Sequence, residues 1–261
     1  MELNQFKQKI KNKTENLFVT ITDPETKKKI FFSIHNETTL WRAQSLYTKE
    51  PVTISWIRSF EDDSIFYDVG ANIGMYSIFA ASINKINVLA FEPESNNFQA
   101  LMENIIKNNL NDKIVAYPVG ISNQTEITSL FLSQFTKAGS HHMIQKNLDH
   151  NLKEKTIGFK QGIFSTSLND LIIKWGLPVP NYLKIDVDGI EYKIIEESDF
   201  LLKNKNLKSI LIEINPKRKE DLNIIKTLSK FDFEYDKSQV DLATRKSGPH
   251  KGYAEYLFYR V

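Results

Sequence analysis

The sequence contains no cysteine, which excludes disulfide bonds, thiolate metal sites and a cysteine nucleophile. It has no apolar run long enough to cross a bilayer, and residues 1–11 lack the apolar core of a signal peptide. An excess of one charge is also missing, because 34 basic and 32 acidic residues leave a formal net charge of +2. That balance gives no general attraction to nucleic acid or to an anionic membrane. We therefore expect a cytoplasmic protein without a nucleic-acid partner or a membrane span.

Glycine is sparse, and two common nucleotide-binding loops are absent. A dinucleotide fingerprint that began at Gly70 would need glycines at positions 72 and 75, where the chain has Asn72 and Met75. A phosphate-binding loop with a Gly-Lys-Ser/Thr ending is missing as well. A dehydrogenase that binds NAD or FAD is therefore disfavoured.

Residues 64–79 nevertheless have the pattern of a strand, a glycine turn and a helix. β-forming apolar residues surround Asp68, and apolar residues at helical spacing follow Gly74. The two glycines, Gly70 and Gly74, permit positive φ and a close approach of a ligand to the backbone, and the helix N-terminus offers free N–H groups. The acid at the strand end would repel a pyrophosphate. It suits a ligand with positive charge and hydroxyl groups, such as S-adenosylmethionine.

A second acid follows the next predicted strand, the short apolar run Asn87–Phe91. Glu92 lies about 20 residues beyond the glycine loop, where an acid can accept hydrogen bonds from ribose hydroxyls. Taken alone, Glu92 could equally be a solvated charge at a strand end. Together with Asp68 and the glycines, it favours the ribose role.

Three segments together resemble the FkbM-type methyltransferases, a family of class I S-adenosylmethionine-dependent enzymes. They are YDVGANIGMYS at residues 67–77, FEPE at 91–94 and YLKIDVDGIE at 182–191. The glycine loop indicates only the class, whereas the third segment is more specific for the family. The resemblance extends from Glu50 to the C-terminus. It implies an α/β, Rossmann-like fold, whose mostly parallel seven-stranded sheet contains one antiparallel strand.

The resemblance also implies O-methylation of a hydroxyl on a sugar or another small natural-product-like acceptor. The residues that would bind S-adenosylmethionine are Asp68, Gly70, Asn72, Gly74, Glu92 and Ser122, of which the last, with its neighbour Ile121, follows the third strand and would face the adenine. Two alternatives stay open: an N-methyltransferase that acts on an amine, and an inactive methyltransferase-like binding module.

A second acidic cluster follows the last predicted parallel strands. Asp186 and Asp188 come after one strand, and Glu213 and Asn215 come after the next. Because ligands of open α/β sheets lie beyond the carboxyl ends of the strands, we expect these side chains to share one cleft. In one mechanism, Asp186 or its neighbour Asp188 removes the hydroxyl proton as a general base. In the other, Mg²⁺ bound by Asp186, Glu213 and Asn215 activates the hydroxyl. This metal set is assigned by position in the fold and not by a matched motif.

Residues 133–165 show no clear periodicity, and we interpret them as a substrate lid. His142 lies in this segment and is a candidate general base, because imidazole titrates near neutral pH. The simpler alternative is that His141 and His142 are solvated loop residues, since the sequence shows no acid partner nearby.

Residues 1–60 are predicted to form an N-terminal appendage of a β-hairpin and helices, and residues 61–261 the methyltransferase domain. The appendage could cap the active site or form a homodimer contact. Glu50 could reach the cofactor or the substrate, or be a surface acid. Arg245 lies in the polar stretch 237–252, which is either a substrate loop for a phosphate or carboxylate group or a solvated connection.

Overall fold

The computed structural model describes residues 17–132, 135–140, 142–144, 159–248 and 251–261. Its strands are β1 Leu17–Thr22, β2 Lys29–Ile34, β3 Ile65–Val69, β4 Asn87–Phe91, β5 Ile114–Tyr117, β6 Gly120–Ile121, β7 Glu126–Leu132, β8 Met143–Ile144, β9 Phe159–Thr166, β10 Tyr182–Ile185, β11 Ser209–Ile214, β12 Phe233–Tyr235 and β13 Ala254–Arg260. Its helices are α1 Glu37–Gln44, α2 Pro51–Arg58, α3 Met75–Ile83, α4 Ser95–Lys107, α5 Leu168–Ile173, α6 Glu191–Glu196, α7 Asp199–Lys203, α8 Lys219–Ser229 and α9 Lys237–Ala243.

The main sheet has seven strands in the order β12-β13-β11-β10-β3-β4-β5. The pairs β11–β10, β10–β3, β3–β4 and β4–β5 are parallel, and β13 runs antiparallel to both of its neighbours. This is the Rossmann-like sheet with one antiparallel strand that the family resemblance implied. The chain leaves β3 toward β4 on one side and reaches β10 on the other, so the topological switch point lies between β3 and β10.

Side chains on the two faces of the sheet belong to different apolar clusters, because successive residues of a strand point in opposite directions. In β3, Tyr67 and Val69 pack with α5 to α8, whereas Phe66 packs with α3, α4 and the N-terminal elements. Asp68 shares the face of Phe66. The main sheet is thus covered on both faces.

The N-terminal elements pack onto the second of these faces. The predicted β-hairpin is present as β1 and β2, which pair antiparallel from Leu17↔Ile34 to Thr22↔Lys29. The backbone N–H of Ser33 donates to Asn104 Oδ1 of α4 at 2.7 Å, and the indole N–H of Trp56 donates to Ser209 Oγ at 2.8 Å. A homodimer contact through this region stays a prediction.

A second, four-stranded sheet in the order β6-β9-β7-β8 was not predicted. β9 pairs antiparallel with β7 along its whole length, from Leu132↔Phe159 to Glu126↔Ser165. The interpretation of residues 133–165 as irregular was therefore wrong for β8 and for the part of β9 that it covered. Residues 133–134, 141 and 145–158, which include His141, lie outside the described residues.

Two helix predictions also need correction. The sequence pattern favours Ser95 as the N-cap of the helix that follows Glu92. In the structure the N-cap of α4 is Glu94, whose carboxylate accepts the backbone N–H groups of Asn96 and Asn97. The polar stretch 237–252 begins with α9, which buries Val240. Within the described ranges, every helix falls short of the length and apolar character needed to cross a membrane.

Candidate active site

A cavity of about 260 Å³ opens at the carboxyl ends of β3, β4 and β10, at the switch point of the sheet. The predicted site residues in its wall are Gly70, Asn72, Glu92, His142, Asp186, Asp188 and Glu213. Asp68, Gly74 and Ser122 lie outside its wall, and Asn215 lines a small neighbouring recess. The structure therefore brings together both acidic clusters and the glycine loop.

Gly70 marks a close approach of two strand ends. Its φ is +82°, and a Cβ placed on it would lie 2.0 Å from the carbonyl oxygen of Asp186. The N–H groups of Gly70 and Ala71 donate to the carbonyl of Phe91 at 3.0 and 3.1 Å. The glycine loop is thus held against the ends of both neighbouring strands, at a spacing that only glycine permits.

Gly74 serves the packing of the helices. It is the N-cap of α3 with φ +81°, and a Cβ on it would lie 2.3 Å from Leu101 Cδ1 of α4. Between the two glycines, Asn72 also has a positive φ, and its side-chain amide donates to the carbonyl of Gly139 at 2.7 Å. Asn72 therefore connects the loop to the segment 138–140 above it.

Glu92 joins the glycine loop to the start of α4. Its two carboxyl oxygens accept the backbone N–H groups of Asn72 at 2.8 Å and Glu94 at 2.9 Å. Burial raises the pKa of Glu92 to about 7, against the lowering effect of these two donors. The carboxyl group is thus fixed in the cavity wall.

Asp68 lies beneath the loop rather than in the wall. Its carboxylate accepts the hydroxyl of Ser77 at 2.6 Å, and in the described part of the chain its other oxygen has no hydrogen-bond partner. Burial raises the pKa of Asp68, while the nearby Lys184 opposes the rise. The buried carboxyl group ties β3 to α3.

Part of the cavity wall is apolar. Ile121 lines it, whereas the next residue, Ser122, is buried and donates its N–H to Thr166 O at 2.9 Å. The second sheet supplies Leu130 and Ile144 to the same wall. Alternation over residues 127–132 predicts a strand that contains Leu130, and β7 is present. The sequence did not place either residue in the site, because the pairing of β7 with β8 and β9 is not visible in local periodicity.

Charged side chains converge where β10 and β11 end. Lys184 donates to Asp186 Oδ2 at 2.8 Å, and Arg245 Nη2 lies 2.5 Å from Glu213 Oε1. Burial would raise the pKa of Asp186, but Lys184 holds it below the usual range. Burial and the charge of Asp186 raise the pKa of Glu213 to about 7, despite the adjacent Arg245. Asp186 therefore stays ionised, and Glu213 titrates near neutrality.

The predicted Mg²⁺ ligands do not fit a divalent cation in this arrangement. Asp186 and Glu213 are each paired with a cationic side chain, and Asn215 Oδ1 accepts the N–H of Lys217 at 3.0 Å. In the described ranges no group of three His, Cys, Asp or Glu side chains could hold a metal ion. A hard cation needs such oxygens as its own ligands.

Asp188 and His142 meet in the wall, although they are far apart in sequence. The backbone N–H of His142 donates to Asp188 Oδ2 at 3.1 Å. The sequence showed no acid close to this histidine, because the contact joins the segment before β8 to the turn after β10. Both residues border the cavity.

The N-terminal elements also contribute to the cavity. Trp41 and Arg42 of α1 and Lys49 line its wall, and the sequence analysis did not single them out. Glu50 is not a surface acid, because it is 5% exposed and forms an ion pair with Lys49. Arg245 lines the cavity wall, so the polar stretch 237–252 reaches the cavity, and Arg245 Nη2 lies 3.8 Å from Glu50 Oε1.

The chain is similar to known methyltransferases over more than half of its length. The family described as the methyltransferase FkbM domain matches residues 68–235. Hexuronic acid methyltransferase AglP of Haloferax volcanii is 26% identical over 184 residues, which cover 70% of each chain.

Solved structures align more distantly. Precorrin-6y C5,15-methyltransferase of Geobacter metallireducens aligns at 14% identity and a TM-score of 0.47, over 92% of this chain and 95% of that one. TrmK of M. capricolum, solved with S-adenosyl-homocysteine, aligns at 12% identity and a TM-score of 0.45, over 80% and 67%. The family match spans more than half of the chain, which therefore belongs to the FkbM methyltransferase family and is an S-adenosylmethionine-dependent methyltransferase.

Proposed function

We propose that the protein transfers the methyl group of S-adenosylmethionine to a hydroxyl of a carbohydrate acceptor. The observation that carries the proposal is one cavity whose wall contains both the glycine loop with Glu92 and the carboxylates after β10 and β11. The name of the Haloferax relative, a hexuronic acid methyltransferase, supports a carbohydrate as the acceptor.

The residues of the wall suit an adenosyl ligand. Glu92 would accept hydrogen bonds from ribose hydroxyls, as an acid after the second strand does in nucleotide-binding folds. Gly70 and Asn72 would border the ligand through their backbone, and Ile121 would contact the adenine at the apolar part of the wall. We assign Asp68, Gly74 and Ser122 an indirect role, because they hold the loop and the neighbouring strands and lie outside the wall.

The carboxylates after β10 and β11 would act on the acceptor. When bound, S-adenosylmethionine supplies the electrophilic methyl group. The acceptor hydroxyl must lose a proton as its oxygen forms the new bond, and Glu213, whose pKa is about 7, can take that proton near neutral pH. Asp186 is a weaker base, because Lys184 lowers its pKa, and we propose that it orients the hydroxyl.

Asp188 and His142 would complete the acceptor end of the cavity. Their contact at 3.1 Å holds the segment before β8 against the turn after β10. We propose that these two residues position the acceptor. Most of the rate acceleration would come from holding the oxygen in line with the methyl group.

Thermal unfolding with added ligands tests the cofactor part of the proposal. S-adenosylmethionine and S-adenosyl-homocysteine should raise the Tm, and NAD should not. At a hundredfold excess over Kd, a ligand stabilises the folded state by about 2.7 kcal/mol. The shift should disappear in Glu92→Ala and persist in Glu234→Ala, an exposed acid on β12. An equal shift in both variants would contradict the assigned role of Glu92.

Methyl transfer from S-adenosylmethionine carrying a radiolabelled methyl group tests the acceptor part. A panel of free and glycosidic sugars is compared with amines of similar size. Label in a sugar ether would support a carbohydrate hydroxyl as the acceptor, whereas label in a methyl ester would show that a carboxylate is methylated instead. Label found only in amines would replace the proposal with N-methylation.

A further inference from the structure

Arg42 contacts a neutral group, whereas the other cationic side chains around the cavity contact carboxylates. Lys49 pairs with Glu50, Lys184 with Asp186, and Arg245 with Glu213. Arg42 instead donates Nε–H to the neutral carbonyl of Ala138 at 3.3 Å, and no carboxylate in the described part of the chain forms an ion pair with it.

The position of Arg42 suits an anionic ligand. It is half-buried, lines the cavity, and projects from α1, whose N-terminus is fixed by the reciprocal capping of Asn36 and Thr39. Asn36 also donates its side-chain amide to Thr136 Oγ1 and to the carbonyl of Lys137, so α1 is connected to the segment that Arg42 contacts. The helix that carries Arg42 and the segment that its side chain contacts are therefore joined.

The chemistry of the guanidinium group favours a carboxylate as the ligand. A partly desolvated cation gains most from an anion, and the planar fork of arginine matches the two oxygens of a carboxylate. The bond to Ala138 uses only Nε–H, which within the described ranges leaves the terminal N–H groups for a ligand.

We propose that Arg42 binds the carboxylate of a ligand in the cavity. Two ligands of the proposed reaction can bring one: the cofactor, through its amino-acid end, and an acceptor sugar that carries a uronate group. This inference rests on the proposed function, because it takes the cavity to be the site of the proposed reaction.

Titration calorimetry separates the two sources. The first arm compares S-adenosyl-homocysteine with 5′-methylthioadenosine, which lacks the carboxylate. If the cofactor is the source, Arg42→Gln weakens S-adenosyl-homocysteine binding about tenfold to a hundredfold and leaves methylthioadenosine unchanged, because a hydrogen-bonded charge is lost only for the former.

The second arm uses protein saturated with S-adenosyl-homocysteine and a matched pair of sugars, methyl β-D-glucuronide and methyl β-D-glucoside. If the acceptor is the source, the wild-type protein prefers the glucuronide, and Arg42→Gln abolishes the preference. Arg42→Lys keeps the charge without the planar fork, and it should retain part of the effect in whichever arm responds.

The controls are Lys85→Gln, an exposed cation outside the cavity, and the Tm of each variant without ligand. If Arg42→Gln unfolds, Arg42→Lys must show a partial loss of affinity or preference in one of the two arms. Unchanged affinities in both arms would overturn the proposal. Both arms measure binding, so a failure to methylate any sugar would overturn the proposed function and leave this result standing.

Discussion

The carboxyl groups of the site differ in the direction in which their pKa values depart from the ordinary range. Burial raises the pKa of both Glu92 and Glu213 to about 7, despite two backbone N–H donors on Glu92 and the cation of Arg245 beside Glu213. Asp186 is as close to the cavity, but the ion pair with Lys184 outweighs burial and lowers its pKa. Because a general base works best with a pKa near the working pH, this contrast favours Glu213 over Asp186 as the proton acceptor.

We expect the activity to follow the ionisation of Glu213. At saturating cofactor, kcat should rise about tenfold per pH unit below pH 7 and level off above it, since the carboxylate must be unprotonated to act. Glu213→Gln should lower kcat about 10²- to 10⁴-fold and remove the pH dependence. Glu234→Gln, on the edge strand β12, is the matched control. A variant at position 213 with the wild-type pH profile would show that another group is the base.

We expect the raised pKa of Glu92 to lower the free energy of unfolding at high pH. Its pKa lies near 7 in the folded protein and near 4.5 in the unfolded chain, so the folded state holds a proton that the unfolded state releases between these values. Ionising the folded carboxyl therefore costs free energy above pH 7, and the cost disappears as the pH falls below 4.5.

Glu92→Gln removes this titration, and urea unfolding without cofactor can measure it. The variant should gain stability relative to the wild type between pH 5 and pH 8, by up to about 3 kcal/mol at 1.36 kcal/mol per pKa unit. The change with pH is the measured quantity, because glutamine also loses one of the two backbone N–H bonds at every pH. A difference that stays constant between pH 5 and pH 8 would contradict the raised pKa.

Gly70 should tolerate no side chain. A Cβ at this position would lie 2.0 Å from the backbone oxygen of Asp186, which cannot move without separating β3 from β10. Gly70→Ala should therefore lower the Tm and abolish binding of S-adenosyl-homocysteine. Gly162→Ala is the matched control, because a Cβ there meets nothing within 4 Å. Normal cofactor binding by Gly70→Ala would show that the loop is not as tightly held as described.

At the scale of elements, the sequence predicted what local periodicity encodes. β3, α3, β4 and β10 have unbroken apolar patterns, and the structure has them at the predicted positions. β9 was missed because Gly162 and polar residues interrupt its alternation, and its pairing with β7 is a long-range contact. α9 was missed because Val240 is its only buried residue.

The site was predictable to the same extent. Gly70, Asn72 and Glu92 follow strands that the pattern reveals, so their meeting at one edge could be inferred. The ion-pair and hydrogen-bond partners of the carboxylates could not be inferred, because the pairs Glu213–Arg245 and Asp188–His142 join distant segments. The metal hypothesis does not fit the structure, because Lys184 and Arg245 are paired with two of the three proposed ligands.

The N-cap of α4 gives a testable prediction at the scale of elements. Glu94 is fully buried, and its carboxylate accepts two backbone N–H groups at 3.0 and 2.8 Å. Glu94→Ala should destabilise the protein by about 1–2 kcal/mol, as the loss of an N-cap does. Ser95→Ala, at the residue that the sequence pattern favoured, should leave the free energy of unfolding unchanged. Equal losses in the two variants, measured by urea unfolding, would restore Ser95 as part of the cap.

At the scale of the whole molecule, the N-terminal elements and the main sheet share one apolar layer. Ile30, Phe32, Leu46 and Ile57 are fully buried in a cluster that also contains Phe66 of β3, α3 and α4. A hairpin and two short helices have little stability by themselves, so most of their free energy of folding must come from this layer. We therefore expect the segments on either side of the predicted boundary near residue 60 to unfold together.

Trp56 reports on this shared layer. It is 2% exposed and bonds to Ser209 at the start of β11, whereas Trp41 and Trp175 are more than half exposed. In the double variant Trp41→Phe and Trp175→Phe, the fluorescence of Trp56 should change at the same urea concentration as the circular dichroism of the whole chain, because its environment is lost only when β11 and α2 separate. Coincident transitions are the standard test of two-state unfolding. A fluorescence transition at lower urea than the loss of secondary structure would show that residues 17–60 detach first and behave as an appendage.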